Sequence, residues 1–200
     1  MYQYPDREKL VTGLTFVYNE VEWIEDCILS HIPFFDDIIA YDGSNDGTIE
    51  VLKKYCSLVL KESGTVPFNA GPIRNLLLDK MSTPWGWFFT ADERLKTTMT
   101  PEEMRNLIKF REEGSDVLRL RRFNRCGPDE KQGYQFPDFQ GNIAKKTVRY
   151  STGPHEMPDG RHYNLADEPI EIDHLMRACD GDKRCHTRWD NFDTRYMDRR

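Results

Sequence analysis

The first 95 residues alternate two kinds of stretch, and that alternation leaves the chain few folds to choose from. Residues 10–18, LVTGLTFVY, are an apolar, β-rich run closed by Asn19 and Glu20. Val21, Ile24, Ile28 and Ile32 then recur at helical spacing, with Asn19 expected as N-cap and Glu22 at the capping-box position. DDIIAYDG at 36–43 reads as a second, buried strand, and the helix after it carries Ile49, Leu52 and Tyr55 on one side. Residues 58–60 form a third short strand. Pro72 suits the first turn of the next helix, whose apolar side is Ile73, Leu76, Leu77 and Met81. WGWFFTADE at 85–93 is a fourth strand ending in acids. A β-α-β-α-β-α-β order predicts an α/β fold, a mostly parallel sheet with helices on both faces. Ligands of such sheets sit beyond the carboxyl ends of the strands. The polar clusters Asn19-Glu20, Asp42-Gly43-Ser44 and Asp92-Glu93 all fall there.

The second half is less regular. Thr100 and Glu103 form a predicted capping box, Met104, Leu107 and Ile108 give that helix its apolar side, and Gly114 ends it. Residues 117–123 read as a strand, with Leu118 and Leu120 on one face and Arg119 and Arg121 on the other. From 124 to 169 the chain is rich in Gly, Pro, Asn and Asp, and only 142–150 and 168–174 look like further strands. The tail from 175 is charged, of both signs. With no repeat, low-complexity tract or linker in 200 residues, a single domain over 1–200 is expected.

Composition narrows the class. The charged fraction is 31%, but the 12% aromatic fraction is too high for a disordered acidic chain. A net charge of -6 argues against phosphate-dominated nucleic-acid binding, which needs a basic face. No apolar run approaches the ~18 residues of a membrane span, and the polar start MYQYPDREK is not a signal peptide. Cys27, Cys56, Cys126, Cys179 and Cys185 are odd in number and scattered, the pattern of reduced thiols in a cytoplasmic protein.

Three segments carry chemistry. YDGSNDGT at 41–48 supplies a strand-end carboxylate, Asp42, a tight turn and a helix start capped by Asp46 or Thr48. Asp42 there can accept hydrogen bonds from a base or ribose, although an ordinary capped turn uses the same residues. Asp92-Glu93 closes a very apolar strand, and carboxylates so placed suit Mg²⁺ or Mn²⁺ with a diphosphate. Arg74, read as lying in a first helical turn, opposes the macrodipole, a conflict that an anionic ligand resolves. His155, Glu156 and His174 lie in the irregular half, where His174 can reach the face of Asp92. The spacing of Cys179, Cys185 and His186 matches no common zinc pattern.

Taken in order, these motifs resemble the inverting GT-A glycosyltransferases of family 2, in particular the small bacterial and phage members. The matching segments are Asn19-Glu20, YDGSNDGT at 41–48, Ile73-Arg74-Asn75, FFTADERL at 88–95, FPDFQGNIAKK at 136–146, GPHE at 153–156 and IEIDH at 170–174. The resemblance implies a GT-A, Rossmann-like domain with a nucleotide-binding half (1–95) and an acceptor-side half (96–200). It implies that Asp42 reads the base with Asn19 and Glu20 lining the same pocket, and that Arg74 lies near base and diphosphate. Asp92 matches the second acid of the DxD motif, a metal ligand, and His174 the histidine that completes the Mn²⁺ or Mg²⁺ shell. Glu156 matches the carboxylate near the acceptor, the general base, with Asp138 and Asp173 as rivals. Two positions depart from the pattern: Thr90 stands where the first DxD acid is expected, weakening the ribose contact, and Asn142-Ile143-Ala144 replaces an arginine-bearing triplet.

The function so implied is metal-dependent transfer of a sugar from a nucleotide-sugar donor, a UDP-sugar, to a hydroxyl acceptor on a glycan, a lipid-linked sugar or a protein. Two other classes compete. A sugar nucleotidyltransferase would want a Gly-rich loop after the first strand, and FVYNEVEW has none. A non-catalytic nucleotide- or glycan-binding module would accommodate Thr90 and the missing arginine.

Overall fold

The computed structural model describes residues 2–62, 70–126, 131–132, 138–152 and 157–176. Along the chain run β1 (Val11–Val17), α1 (Ile24–His31), β2 (Asp37–Asp42), α2 (Thr48–Tyr55), β3 (Leu58–Lys61), α3 (Ala70–Lys80), β4 (Trp85–Phe88), β5 (Glu93–Thr97), α4 (Pro101–Arg111), β6 (Val117–Cys126), β7 (Lys131–Gln132), β8 (Asp138–Lys145), β9 (His162–Asn164) and β10 (Ile170–Met176). One sheet holds them in the order β3-β2-β1-β4-β8-β6-β10-β5, with β7 and β9 also on β6. The first half is parallel throughout: β1 pairs with β2 and β4, and β2 with β3. The second half adds antiparallel pairs, β4–β8, β6–β8 and β5–β10.

Period-two burial assigns the helices to faces. Val11, Val17, Ile38, Ala40, Trp85 and Trp87 point to one face, which α1, α2 and α4 cover with Ile28, Leu52 and Ile108. Leu14, Ile39, Tyr41 and Phe88 point to the other, covered by α3 through Ile73, Leu77 and Leu78. Gly13 is required by this packing, because a Cβ there would collide with the Phe35 ring. The Thr100 capping box forms as expected: Glu103 N–H donates to Thr100 Oγ1 at 3.3 Å, and Thr100 N–H to Glu103 Oε2 at 2.7 Å.

Four local expectations are corrected. Asn19 does not cap α1, which starts at Ile24 after Trp23 with no side-chain cap. Asn19 has φ 56°, a left-handed turn in which its amide is used elsewhere. The run 85–93 is two strands, since Phe89 to Asp92 turn the chain from β4 into β5. The strand expected over 142–150 lies over Asp138–Lys145. Finally, α3 begins at Ala70, so Arg74 stands a full turn inside it and the macrodipole argument does not apply. Residues 153–156 and 177–200 lie outside the described residues.

Candidate functional site

At the carboxyl ends of β1 and β2 the two following loops are fastened side by side. Asn19 N–H donates to Ser44 Oγ at 2.8 Å, and Asn45 N–H to Asn19 Oδ1 at 2.9 Å. Glu20 N–H donates to Thr48 Oγ1 at 2.9 Å, and Val21 N–H to Asp46 Oδ2 at 3.3 Å. Asp46 Oδ1 also accepts from Thr48 N–H and its hydroxyl, at 3.0 and 2.6 Å, which makes the turn before α2 an Asx turn. Asn19 and Glu20 thus do reach the 41–48 segment, tied to it by backbone-to-side-chain hydrogen bonds.

Asp42, within that segment, is fully buried. Its Oδ1 accepts from Ser44 N–H at 3.0 Å, and its Oδ2 from the Lys61 ammonium at 2.8 Å. Lys61 also donates to Ser44 O at 2.6 Å, and its side chain is half exposed. The expected base reader is therefore engaged with protein donors, and of the ion pair only Lys61 reaches solvent.

Arg74 projects from α3 over three rings, with its guanidinium 5.8 Å from Phe16, 5.4 Å from Phe88 and 4.9 Å from Tyr150. Those distances are within the range of cation–π attraction. Its neighbour Asn75 holds the third ring in place: Tyr150 N–H donates to Asn75 Oδ1 at 2.8 Å, and Asn75 Nδ2 to Tyr150 O at 3.0 Å.

The turn between β4 and β5 brings the two expected metal ligands together. Asp92 Oδ2 lies 3.3 Å from His174 Nε2. Thr90 Oγ1 donates to Asp92 Oδ1 at 2.7 Å, so the residue in place of the first acid orients the second. His174 Nδ1 meets Asn124 Oδ1 at 2.8 Å. Glu93, on the same turn, points inward: it is 2% exposed, and its Oε2 accepts from Thr90 N–H at 3.0 Å. Burial pushes its carboxyl above the usual range, against the pull of Arg122, whose Nη1 is 3.9 Å from Oε1.

The residues present fit a hard divalent cation in one respect. Asp92 presents a carboxylate oxygen and His174 an imidazole nitrogen to one another, donor types that such ions take together with water and phosphate oxygens. Asp92 and His174 would offer two donor atoms; among the described residues, no group of three or more His, Cys, Asp or Glu could hold a metal. Substrate phosphates and water fill the remaining positions at sites of this kind.

Thr90, the hydrogen-bond partner of Asp92, also lines a cavity of about 50 Å³ with Arg74, Glu93, Arg122, Gln140 and Asn142, among others. Asn142 lines it where an arginine was expected, with Nδ2 3.4 Å from Phe88 O. Arg122 brings a second guanidinium to this cavity, and sequence reasoning missed it because the alternation LRLRRF drew attention to Arg119 and Arg121. Asp173 is buried against Lys96 in an ion pair. Glu156 lies outside the described residues, as does the side chain of Asp138.

The family model of glycosyl transferase family 2 matches residues 14–166. The chain belongs to glycosyl transferase family 2. No curated protein matches it. Among solved structures, this family 2 domain is similar to S. aureus TarS in complex with UDP-GlcNAc, at 15% identity and TM-score 0.59, over 86% of this chain and 60% of that one. A second structure of S. aureus TarS gives 15% identity and TM-score 0.58, over 83% of this chain and 36% of that one. This chain therefore spans 36% to 60% of the length of these relatives, and the likeness shows the GT-A fold. No helix among the described residues is long and apolar enough to cross a membrane.

Proposed function

We propose that this family 2 glycosyltransferase domain moves a sugar from a UDP-sugar to a hydroxyl acceptor with inversion, served by Mn²⁺ or Mg²⁺. The observation that carries the reading is the Asp92–His174 pair, 3.3 Å apart at the carboxyl end of the sheet and joined through Thr90 to the cavity that Arg74 lines. The UDP assignment draws on the TarS relative solved with UDP-GlcNAc.

A divalent cation held by Asp92 and His174 would supply positive charge to the leaving diphosphate. Arg74 adds a fixed guanidinium, held by its three rings so that little reorganisation is needed as charge develops. Asn19, Glu20 and Asp42 build the nucleotide pocket; Asp42 acts through Lys61, the half-exposed member of its ion pair that a base meets first. Thr90 serves Asp92 rather than the ribose. Glu156 takes the acceptor proton, a contribution of ~10²–10⁴-fold for a well-placed base. One base and no covalent nucleophile give a single displacement, hence inversion. The acceptor is a glycan, a lipid-linked sugar or a protein, and the buried free thiols of Cys27 and Cys56 fit a cytoplasmic setting. The whole of 1–200 acts as one domain in this reading.

Incubation with UDP-sugars, Mn²⁺ and an acceptor panel tests it. The expected result is release of free UDP that EDTA stops and that Asp92→Asn abolishes. Glu156→Gln is expected to lower kcat and kcat/KM together while UDP affinity holds. Binding of UDP-sugars without turnover under any condition would favour a non-catalytic module instead.

A further inference from the structure

We propose that Asn124 is a positioning residue for the cation site: its amide oxygen keeps the His174 proton on Nδ1, so that Nε2 is the nitrogen offered to the metal. The inference rests on the metal-dependent reading above and concerns a residue to which neither the sequence motifs nor the family pattern gave a role.

The geometry is specific. Asn124 lies on β6 directly beside His174 in the parallel β6–β10 register, while Glu93 faces His174 from β5 on the other side. The imidazole is thereby held between two strands, with Asn124 buried at 7% exposure and its Oδ1 2.8 Å from Nδ1. A neutral imidazole carries one proton, and the nitrogen that binds a metal must be bare. An acceptor at Nδ1 selects the tautomer with the proton there, which aims the Nε2 lone pair toward Asp92.

The opposite ligand is treated in the same way. The Thr90 hydroxyl donates to Asp92 Oδ1, and Oδ2 is the oxygen that faces His174. Each ligand is thus oriented from behind by an uncharged side chain. Asparagine suits position 124 because it accepts a hydrogen bond without adding a second negative charge behind the ring. An aspartate there would keep the acceptor, whereas a leucine of similar size would remove it.

The test uses the full chain with UDP and reads bound Mn²⁺ by electron paramagnetic resonance. Asn124→Leu is expected to weaken Mn²⁺ binding about tenfold to a hundredfold, and Asn124→Asp to stay within about threefold of the parent because the acceptor is kept. Nitrogen-15 spectra of the His174 ring in the Mg²⁺-loaded parent protein should show the proton on Nδ1, a readout that survives if Asn124→Leu fails to fold. A proton on Nε2 in that spectrum, or Asn124→Leu binding Mn²⁺ like the parent, overturns the inference while leaving the metal-dependent reading intact. A parent protein that binds no Mn²⁺ even with UDP removes that reading, and the inference with it.

Discussion

Asp36 and Asp42 stand at the two ends of the same strand, both buried, and their surroundings differ in how many protein donors each carboxylate holds. Asp36, just before β2, accepts from the backbone N–H groups of Leu10 and Val11 at 2.7 and 3.0 Å. It also takes Arg7 Nε at 2.6 Å and Arg105 Nη1 at 2.7 and 2.9 Å. Burial alone would raise its carboxyl, but those two amides and two guanidinium groups together hold it below the usual range. Asp42 has one backbone amide and one lysine, and that lysine is half exposed. A saturated carboxylate at the amino end of the sheet locks the N-terminal segment and α4 to the core. Asp42, held by one amide and one half-exposed ammonium at the carboxyl end of the strand, has a partner that water can take over.

The largest expected break in this comparison is Asp36→Ala. It strands Arg105, whose side chain is only 5% exposed, and removing one partner of a buried pair costs about 3–5 kcal/mol. Urea unfolding measures it, and a loss under about 1 kcal/mol would place Asp36 in the same category as Asp42.

Acid should attack the core beside the amino-terminal lock first and the lock itself second. His31 is fully buried among the rings of Phe35, Trp87 and Phe89, and burial lowers its pKa to about 4, while Cys27 O accepts from Nδ1 at 2.9 Å. Between about 6.5 and 4 the unfolded chain binds the extra proton, so stability is whole above pH ~6.5 and falls by roughly 3 kcal/mol as pH drops through that window. His31→Phe should flatten this slope in unfolding curves. The contribution of Asp36 has the opposite origin and the same sign: its depressed folded value means stability present above about pH 3.9 is lost below it.

Asp42→Asn should cost about 1 kcal/mol of stability or less, since Lys61 can return to water. UDP affinity, followed by calorimetry, should nonetheless fall about tenfold, the effect of ~1.4 kcal/mol. A variant that melts early but binds UDP normally would make Asp42 structural like Asp36. The smallest effect is expected from Thr90→Val, which removes the hydroxyl that donates to Asp92 Oδ1. The Mn²⁺-dependent part of UDP affinity should drop several-fold, with the melting temperature nearly unchanged; equal loss with and without Mn²⁺ would return Thr90 to the ribose.

The parallel half was legible because each strand presents one apolar set to each helical layer, as Ile38 and Ala40 against Ile39 and Tyr41 do within β2. The Thr100 capping box was legible for the same reason of locality: both partners lie within one turn. Asn19 misled because the residue types that cap helices also adopt left-handed turns, and only the neighbouring 41–48 loop decides between them. The meeting of Asp92 with His174 followed from motif order, whereas Arg122 and Asn124 carried no signal. Their importance comes from register across β6, β8 and β10, which nothing in the local sequence of β6 specifies.

The Asn75–Tyr150 clamp has a consequence for how the molecule comes into being. Its partners are 75 residues apart, so the last ring around Arg74 arrives only after a long loop has closed, and loop closure must precede the contacts that repay it. The β1–β2–β3 strands meet over much shorter separations and are expected to assemble first. The loops after β1 and β2 would then be in place while the Arg74 guanidinium still lacks its third aromatic neighbour, so this side of the cavity is completed late on the folding route. Pulse-labelled hydrogen exchange should find the Tyr150 amide protected after those of β1, and simultaneous protection would mean the two halves condense together.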